Sequence, residues 1–193
     1  ALIKALGDDR GRVRLAACDA LAKLGPSASQ AARGLISCFG DKHKMVQQAA
    51  ARTLALYRLA APEFLPELIQ GLAHTNPEMR QQCAATIGEL GIIAHASAPH
   101  LMERVRQDPE LPVRDASAQA LGQLGPRAKE YLSEFEEMLM ASEPETRKIA
   151  ASALGSFGFM ARSVRPKLLQ FVDDTDKNVR DTVRAALNKI PTG

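Results

Sequence analysis

The sequence predicts an all-α, right-handed solenoid of about six stacked two-helix units, and three observations predict it. A thirteen-residue pattern recurs at near-constant spacing along the whole chain. Within each copy the apolar residues keep the 3.6-residue period of a helix and not the alternation of a strand. The composition supplies helix formers and little for a sheet: Ala and Leu abound, aromatics are 4% and no Trp occurs in 193 residues.

The pattern is clearest in Val13-Arg14-Leu15-Ala16-Ala17-Cys18-Asp19-Ala20-Leu21-Ala22-Lys23-Leu24-Gly25. Its counterparts begin at Val46, Met79, Val113, Thr146 and Val179, with steps of 33, 33, 34, 33 and 33 residues. The fifth slot holds Ala17, Ala50, Cys83, Ser117, Ala150 and Val183. The ninth holds Leu21, Leu54, Ile87, Leu121, Leu154 and Leu187, and the twelfth Leu24, Tyr57, Leu90, Leu124, Phe157 and Ile190. Those spacings place the three slots on one helical stripe, so each copy predicts a helix with one buried face. Gly25, Gly91, Gly125 and Gly158 follow, where a left-handed residue commonly ends a helix.

The rest of each period predicts another helix. Leu35, Leu68, Leu101, Phe135 and Leu168 share one slot, and Phe39, Leu72, Val105, Leu139 and Val172 stand four residues further on. Pro66, Pro99 and Pro166 precede the first of these by two residues, as expected in a first turn, where the missing N–H is no loss. Pro77, Pro112 and Pro144 sit at the entry to the patterned helix. Leu2 and Leu6 occupy the slots of Leu35 and Phe39, so Ala1 falls inside a helix. The expectation is one solenoid domain over residues 1–193, its first repeat truncated, cut from a longer array whose polar capping repeat lies elsewhere.

These residues resemble the HEAT-repeat family, in the short form also found in bilin-lyase-like proteins. Val-Arg, two residues, Ala, three residues, Leu, two residues, Leu-Gly is nearly intact in copies one, four and five. The resemblance covers essentially the whole chain. It implies a solenoid whose patterned helices line the concave surface, and it leaves function open, since one fold hosts many roles.

The second slot carries Arg14, Arg80, Arg114, Arg147 and Arg180, broken only by Gln47. Five residues before the starts stand Asp8, Asp41, Asp108 and Asp174, with His74 and Ala141 as exceptions. A guanidinium fork suits a carboxylate in its own or the neighbouring repeat, and the periodicity favours a structural ladder over a binding stripe.

The outward third, seventh and eleventh slots present small, polar, Gln-rich side chains. Gln48, Arg52, Gln81, Gln119 and Gln123 are the candidates there for contact with an extended polypeptide, because an amide both donates and accepts. Arg10, Arg12, Lys42, His43 and Lys44 form a basic spot at the first two turns, readable as a contact edge or as a solubilising one. Tyr57, in the copy furthest from the consensus, is the single aromatic contact candidate, set against its role as a core ring.

Charge alternates along the chain. Residues 1–61 carry ten basic and four acidic side chains, residues 62–145 six and fourteen, and residues 146–193 nine and four, giving nets of +6, −8 and +5. Such a field suits a protein partner with matching patches better than a uniform polyanion. Cys18, Cys38 and Cys83 lack metal-ligand spacing and fall among Ala and Leu, as reduced core thiols of an intracellular, cytoplasmic protein would.

No catalytic triad spacing or phosphate-binding glycine loop is visible. None of His43, His74, His95 and His100 is followed by Glu, so the metal dyads of HEAT-type deoxyhypusine hydroxylases are missing. HEAT-like DNA glycosylases use concave-face aromatics with a catalytic acid, and tubulin-binding arrays use Trp and Lys in the turns; this chain has no Trp, and neither Tyr falls in the concave slots. The reading is a non-catalytic, monomeric protein-binding scaffold without cofactor or metal. The alternatives are bilin-lyase-like chromophore attachment, which the resemblance alone raises, and a nucleic-acid- or tubulin-binding array.

Overall fold

The computed structural model describes residues 1–192, and among them every regular element is a helix. Six helices carry the patterned segments: α2 (Gly11–Leu24), α4 (Lys44–Leu56), α6 (Pro77–Leu90), α8 (Leu111–Gln123), α10 (Pro144–Phe157) and α12 (Lys177–Lys189). Between them run shorter partners: α1 (Leu2–Ala5), α3 (Ala32–Ser37), α5 (Ala61–Gly71), α7 (Ala98–Gln107), α9 (Leu132–Met138) and α11 (Arg165–Leu169). The solenoid is therefore six helix pairs, each stacked on the next. We call the patterned helix of each pair its B helix and the other its A helix.

The B helices end as the sequence indicates. Gly25, Gly91, Gly125 and Gly158 have φ of 63°, 62°, 84° and 54°, a conformation costly for any side chain. From each, the chain passes through a tight 3-10 stretch into the next A helix, as over Gly25–Ala31 and Gly91–Ser97. Repeat two has Arg58 where these have glycine, and no non-glycine residue among those described takes a positive φ. Its B helix instead leaves through Tyr57 and a single 3-10 turn, Arg58–Ala60, and α5 begins early, at Ala61. Pro62 then opens that helix, and Pro66 lies inside it. The first-turn position expected for Pro66 holds for its counterparts Pro99 and Pro166 but not here.

The core is one continuous apolar stripe running between the pairs. Leu35, Leu54, Leu68, Ile87, Leu101, Leu121, Phe135, Leu154 and Leu168 are all fully buried. Phe135 of α9 meets Phe157 of α10 with ring centroids 6.0 Å apart and planes tilted by 58°, a favourable aromatic geometry. Leu24 departs from the expected stripe. It is 54% exposed, in a cleft it shares with Leu2, Ile3 and Leu21. Cys18, Cys38 and Cys83 are buried free thiols, and burial pushes Cys83 up to about 12.

The stack is not uniform. From α6 onward, successive B helices approach until their backbones nearly touch. A Cβ added to Gly88 would lie 2.9 Å from the Ala120 Cα, and one added to Gly122 would lie 2.7 Å from the backbone of Ser156 and Phe157. Gly155 stands in the same tenth slot and meets Ala186 equally closely. In repeat two that slot is Ala55, and α4 touches α6 far more lightly.

Leu121→Ala should destabilise the chain by about 2–4 kcal/mol, the usual cost of a cavity at a fully buried leucine. Denaturant unfolding checks it. A shift near zero would show that the ninth slot is not a core position.

Candidate functional site

The ladder residues are held by geometry that crosses repeat boundaries. Arg14 donates from Nη2 to Asp41 Oδ1 at 2.9 Å, and Arg80 donates from Nε and Nη2 to Asp108 at 2.7 and 2.8 Å. Arg147 grips Asp174 through the same two nitrogens, at 2.7 and 2.8 Å. In each case the arginine belongs to one repeat and the aspartate to the next. The remaining nitrogen turns back to its own repeat, where Arg80 Nη1 donates to the His74 and Thr75 carbonyls at 2.9 and 3.1 Å. The aspartate also accepts the backbone N–H two residues on, as Asp108 does from Glu110 at 3.1 Å. One fork thus ties two turns and a helix together, and the buried carboxylate has its hydrogen bonds filled.

Not every ladder residue joins a rung. Asp8 pairs with the exposed Arg10, and only its backbone carbonyl receives Arg14. Arg180 holds its own turn through the Asp174 and Thr175 carbonyls. Gln47 donates to the Asp41 carbonyl at 2.6 Å, and His74, where the next aspartate would stand, accepts from Asn76 N through Nδ1. In the register of Asp41, Asp108 and Asp174 the residue opposite Arg114 is Ala141, and the buried Arg114 Nε has no partner among the described residues.

Burial raises the Asp41 and Asp108 carboxyls, but the arginine forks and the turn N–H groups outweigh it and hold both below the usual range. Asp174 is lowered first by Arg147. A depressed folded-state value means these groups contribute stability above their unfolded value, about 3.9. That stability is lost as pH falls below about 4, through the folded values. Thermal melts from pH 6 to pH 2.5 should show the loss, and Asp108→Asn should flatten it, lowering stability most at pH 6 and least at pH 2.5.

Two recesses gather the contact candidates. The first, of about 630 Å³, crosses α6, α8 and α10. Gln81, Gln119 and Gln123 line it, joined by Gln82, Glu89, Asp115, Glu145 and Lys148 over a floor that includes Ala85, Ala116 and Ala120. Among the described residues, Gln47 is the one glutamine that spends its amide inside the fold, so the groove amides remain available. Asp115 Oδ1 is buried in this wall without a hydrogen-bond partner. Desolvation raises the Glu89 carboxyl. Gln48 and Arg52 are exposed on α4, outside this groove.

The second recess, of about 870 Å³, lies at the turns of repeats one and two. Arg10, Arg12, Lys42, His43 and Lys44 surround it, with Leu15 and the exposed Met45 supplying apolar surface. Gly11 admits the His43 ring, since a Cβ there would overlap its Cδ2.

Tyr57 is corrected. Its ring is fully buried and its hydroxyl donates to the Leu21 carbonyl of repeat one at 3.1 Å. The twelfth slot faces the core in this repeat, so no partner reaches it. Gln82, Leu111 and Glu145 lie outside the outward slots and were missed. Residues at helix starts join the groove only because α8 and α10 stack side by side. The tenth-slot glycines were missed too, although small residues in one repeated slot are a readable sign of close packing.

No group of three or more His, Cys, Asp or Glu among the described residues could hold a metal ion, and no helix is long and apolar enough to cross a membrane.

The comparisons agree with this architecture. A family model described as HEAT repeats matches residues 1–55 and 32–122, and the chain belongs to that family. No curated protein matches it in sequence. Among solved structures, one engineered protein superposes with a TM-score of 0.59 at 18% identity, covering 97% of this chain and 94% of that one. A second gives 0.55 at 21% identity, with all of this chain covering 57% of that chain. A computationally designed armadillo repeat protein for modular peptide recognition gives 0.53 at 15% identity, with 98% of each chain covered. At these identities the likeness concerns the fold.

Ala141→Asp should complete the missing rung beneath Arg114 and give Glu143 N–H a side-chain acceptor. We expect a gain of about 1 kcal/mol, or about 2–4 °C in Tm for a chain of this size. Calorimetry on the two proteins checks it, and an unchanged or lower Tm would show that the Arg114 slot does not accept a carboxylate.

Proposed function

We propose that this chain is a non-catalytic protein-binding scaffold that takes an extended polypeptide segment across the groove of α6, α8 and α10, with the basic recess of repeats one and two as a further contact edge. The observation that carries the reading is the set of four glutamine amides lining one groove. Each can donate to a peptide carbonyl and accept from a peptide N–H, and their spacing follows stacked helices. The modular peptide recognition for which one structural neighbour was designed supports the reading by analogy of fold alone. The basic recess, with Lys42 and Lys44 around it, suits an acidic patch on the same partner.

Affinity capture from cell lysate, with bound species identified by mass spectrometry at low and moderate salt, tests it. The native chain should retain a protein at moderate salt. Gln81→Ala/Gln119→Ala/Gln123→Ala should lose that protein at unchanged Tm, and Lys44→Ala should weaken its retention without altering stability. Equal retention by the triple variant would remove the groove from the binding surface. Nucleic acid as the sole species, released as salt rises, would replace the scaffold reading with a backbone-binding one.

A further inference from the structure

The groove is more selective than a row of amides requires. Asp115 sits in its wall with Oδ1 buried and unpartnered. Lys148 lines the same groove and does not bond that oxygen. Glu89 and Glu145 add two further carboxylates against that single lysine, within the chain segment of net charge −8. The other aspartates buried in this fold, Asp41, Asp108 and Asp174, all have an arginine fork. Asp115 has none, and it lines the recess that α6, α8 and α10 form together. The alanines at 85, 116 and 120 keep the floor low, so a long side chain can enter from above.

Resting on the groove reading above, we infer that the bound segment inserts a lysine or arginine side chain that pairs with Asp115. A charged donor would meet the half-buried carboxylate where it lines the groove, beside its buried Oδ1, a partly desolvated setting in which a charge-assisted bond is strong. Glu89 and Glu145 would steer the cation in, while the glutamines hold the backbone on either side of it. A neutral or acidic side chain at that point would leave Asp115 unpaired and meet the surrounding negative field, so the groove also rejects wrong sequences.

Selection of a random decapeptide library displayed on phage tests this, run in parallel against the native chain and Asp115→Asn. The native chain should enrich peptides with Lys or Arg at one fixed position. Asp115→Asn, melting at the native temperature, should still select peptides but without that preference. For a selected peptide, replacing the basic residue by norleucine should weaken binding to the native chain by about tenfold or more, and to Asp115→Asn by much less. Groove-binding peptides with no basic preference would overturn this inference and leave the groove reading standing. Failure to select any peptide, or peptides still held by the triple glutamine variant, would overturn both. Acidic peptides lost on Lys42→Ala/Lys44→Ala would move recognition to the other recess and overturn it as well.

Discussion

A two-helix unit of about thirty-three residues cannot bury its own apolar stripe, and every other property of this chain follows from that constraint. The side chains at Leu54, Ile87, Leu121 and Leu154 are fully buried because the next pair covers what the first leaves open. Packing one pair on the next at a constant interval then sets which slots face inward, which face a neighbour and which face solvent. The candidate binding surfaces are what that accounting leaves over. A groove across α6, α8 and α10 exists because three helices are held side by side and their third, seventh and eleventh slots have nothing to cover.

What joins the pairs differs from junction to junction. An Arg–Asp clamp links repeats one and two, three and four, and five and six. It is missing between two and three, where Gln47 and His74 stand, and between four and five, where Ala141 leaves Arg114 unpaired. The two unclamped junctions are not equivalent. Gly122 lets α8 and α10 meet backbone to backbone, so dispersion and close packing take over there. Between α4 and α6 neither device operates, and the helices touch lightly. That junction has the lightest B-helix packing in the stack, and it follows repeat two, whose B helix ends without the left-handed glycine of repeats one, three, four and five.

The sequence states whatever repeats. Helix order, the buried stripe, the glycine ends and the arginine–aspartate series all recur at a fixed interval, and each has one cheap physical explanation per slot. What does not repeat was hard to read. Tyr57 in an irregular copy could be a contact or a core ring, and its burial depends on how repeat one presents the Leu21 carbonyl. Leu24 shares its slot with buried residues yet lies exposed beside Leu2 and Ile3, because burial depends on the neighbour and not on the slot alone. The groove was half legible. Gln81, Gln119 and Gln123 lie on the outward face of their own helices, whereas Leu111 and Glu145 enter it only through stacking between repeats. A direction on one helix can be counted from residue numbers, but a wall shared by three helices cannot.

The distribution of stiffness bears on where binding falls. Repeats three to five combine close helix packing with a clamp at Arg80 and Asp108 around the groove they form. A surface that is already ordered loses little conformational entropy on binding, and its polar groups can be spent on the ligand. The basic recess is set in a clamped pair of its own, repeats one and two, on the far side of the lightly packed junction. The chain therefore carries two recesses of opposite charge on either side of the seam where its B helices pack most lightly. A partner that engaged only one would leave the seam free, whereas a partner with complementary charges at both ends would span it and fix the relative placement of the two. Alternation of charge along the chain, which from composition alone suits a protein partner with matching patches, would in the proposed scaffold help to orient a long ligand across both recesses.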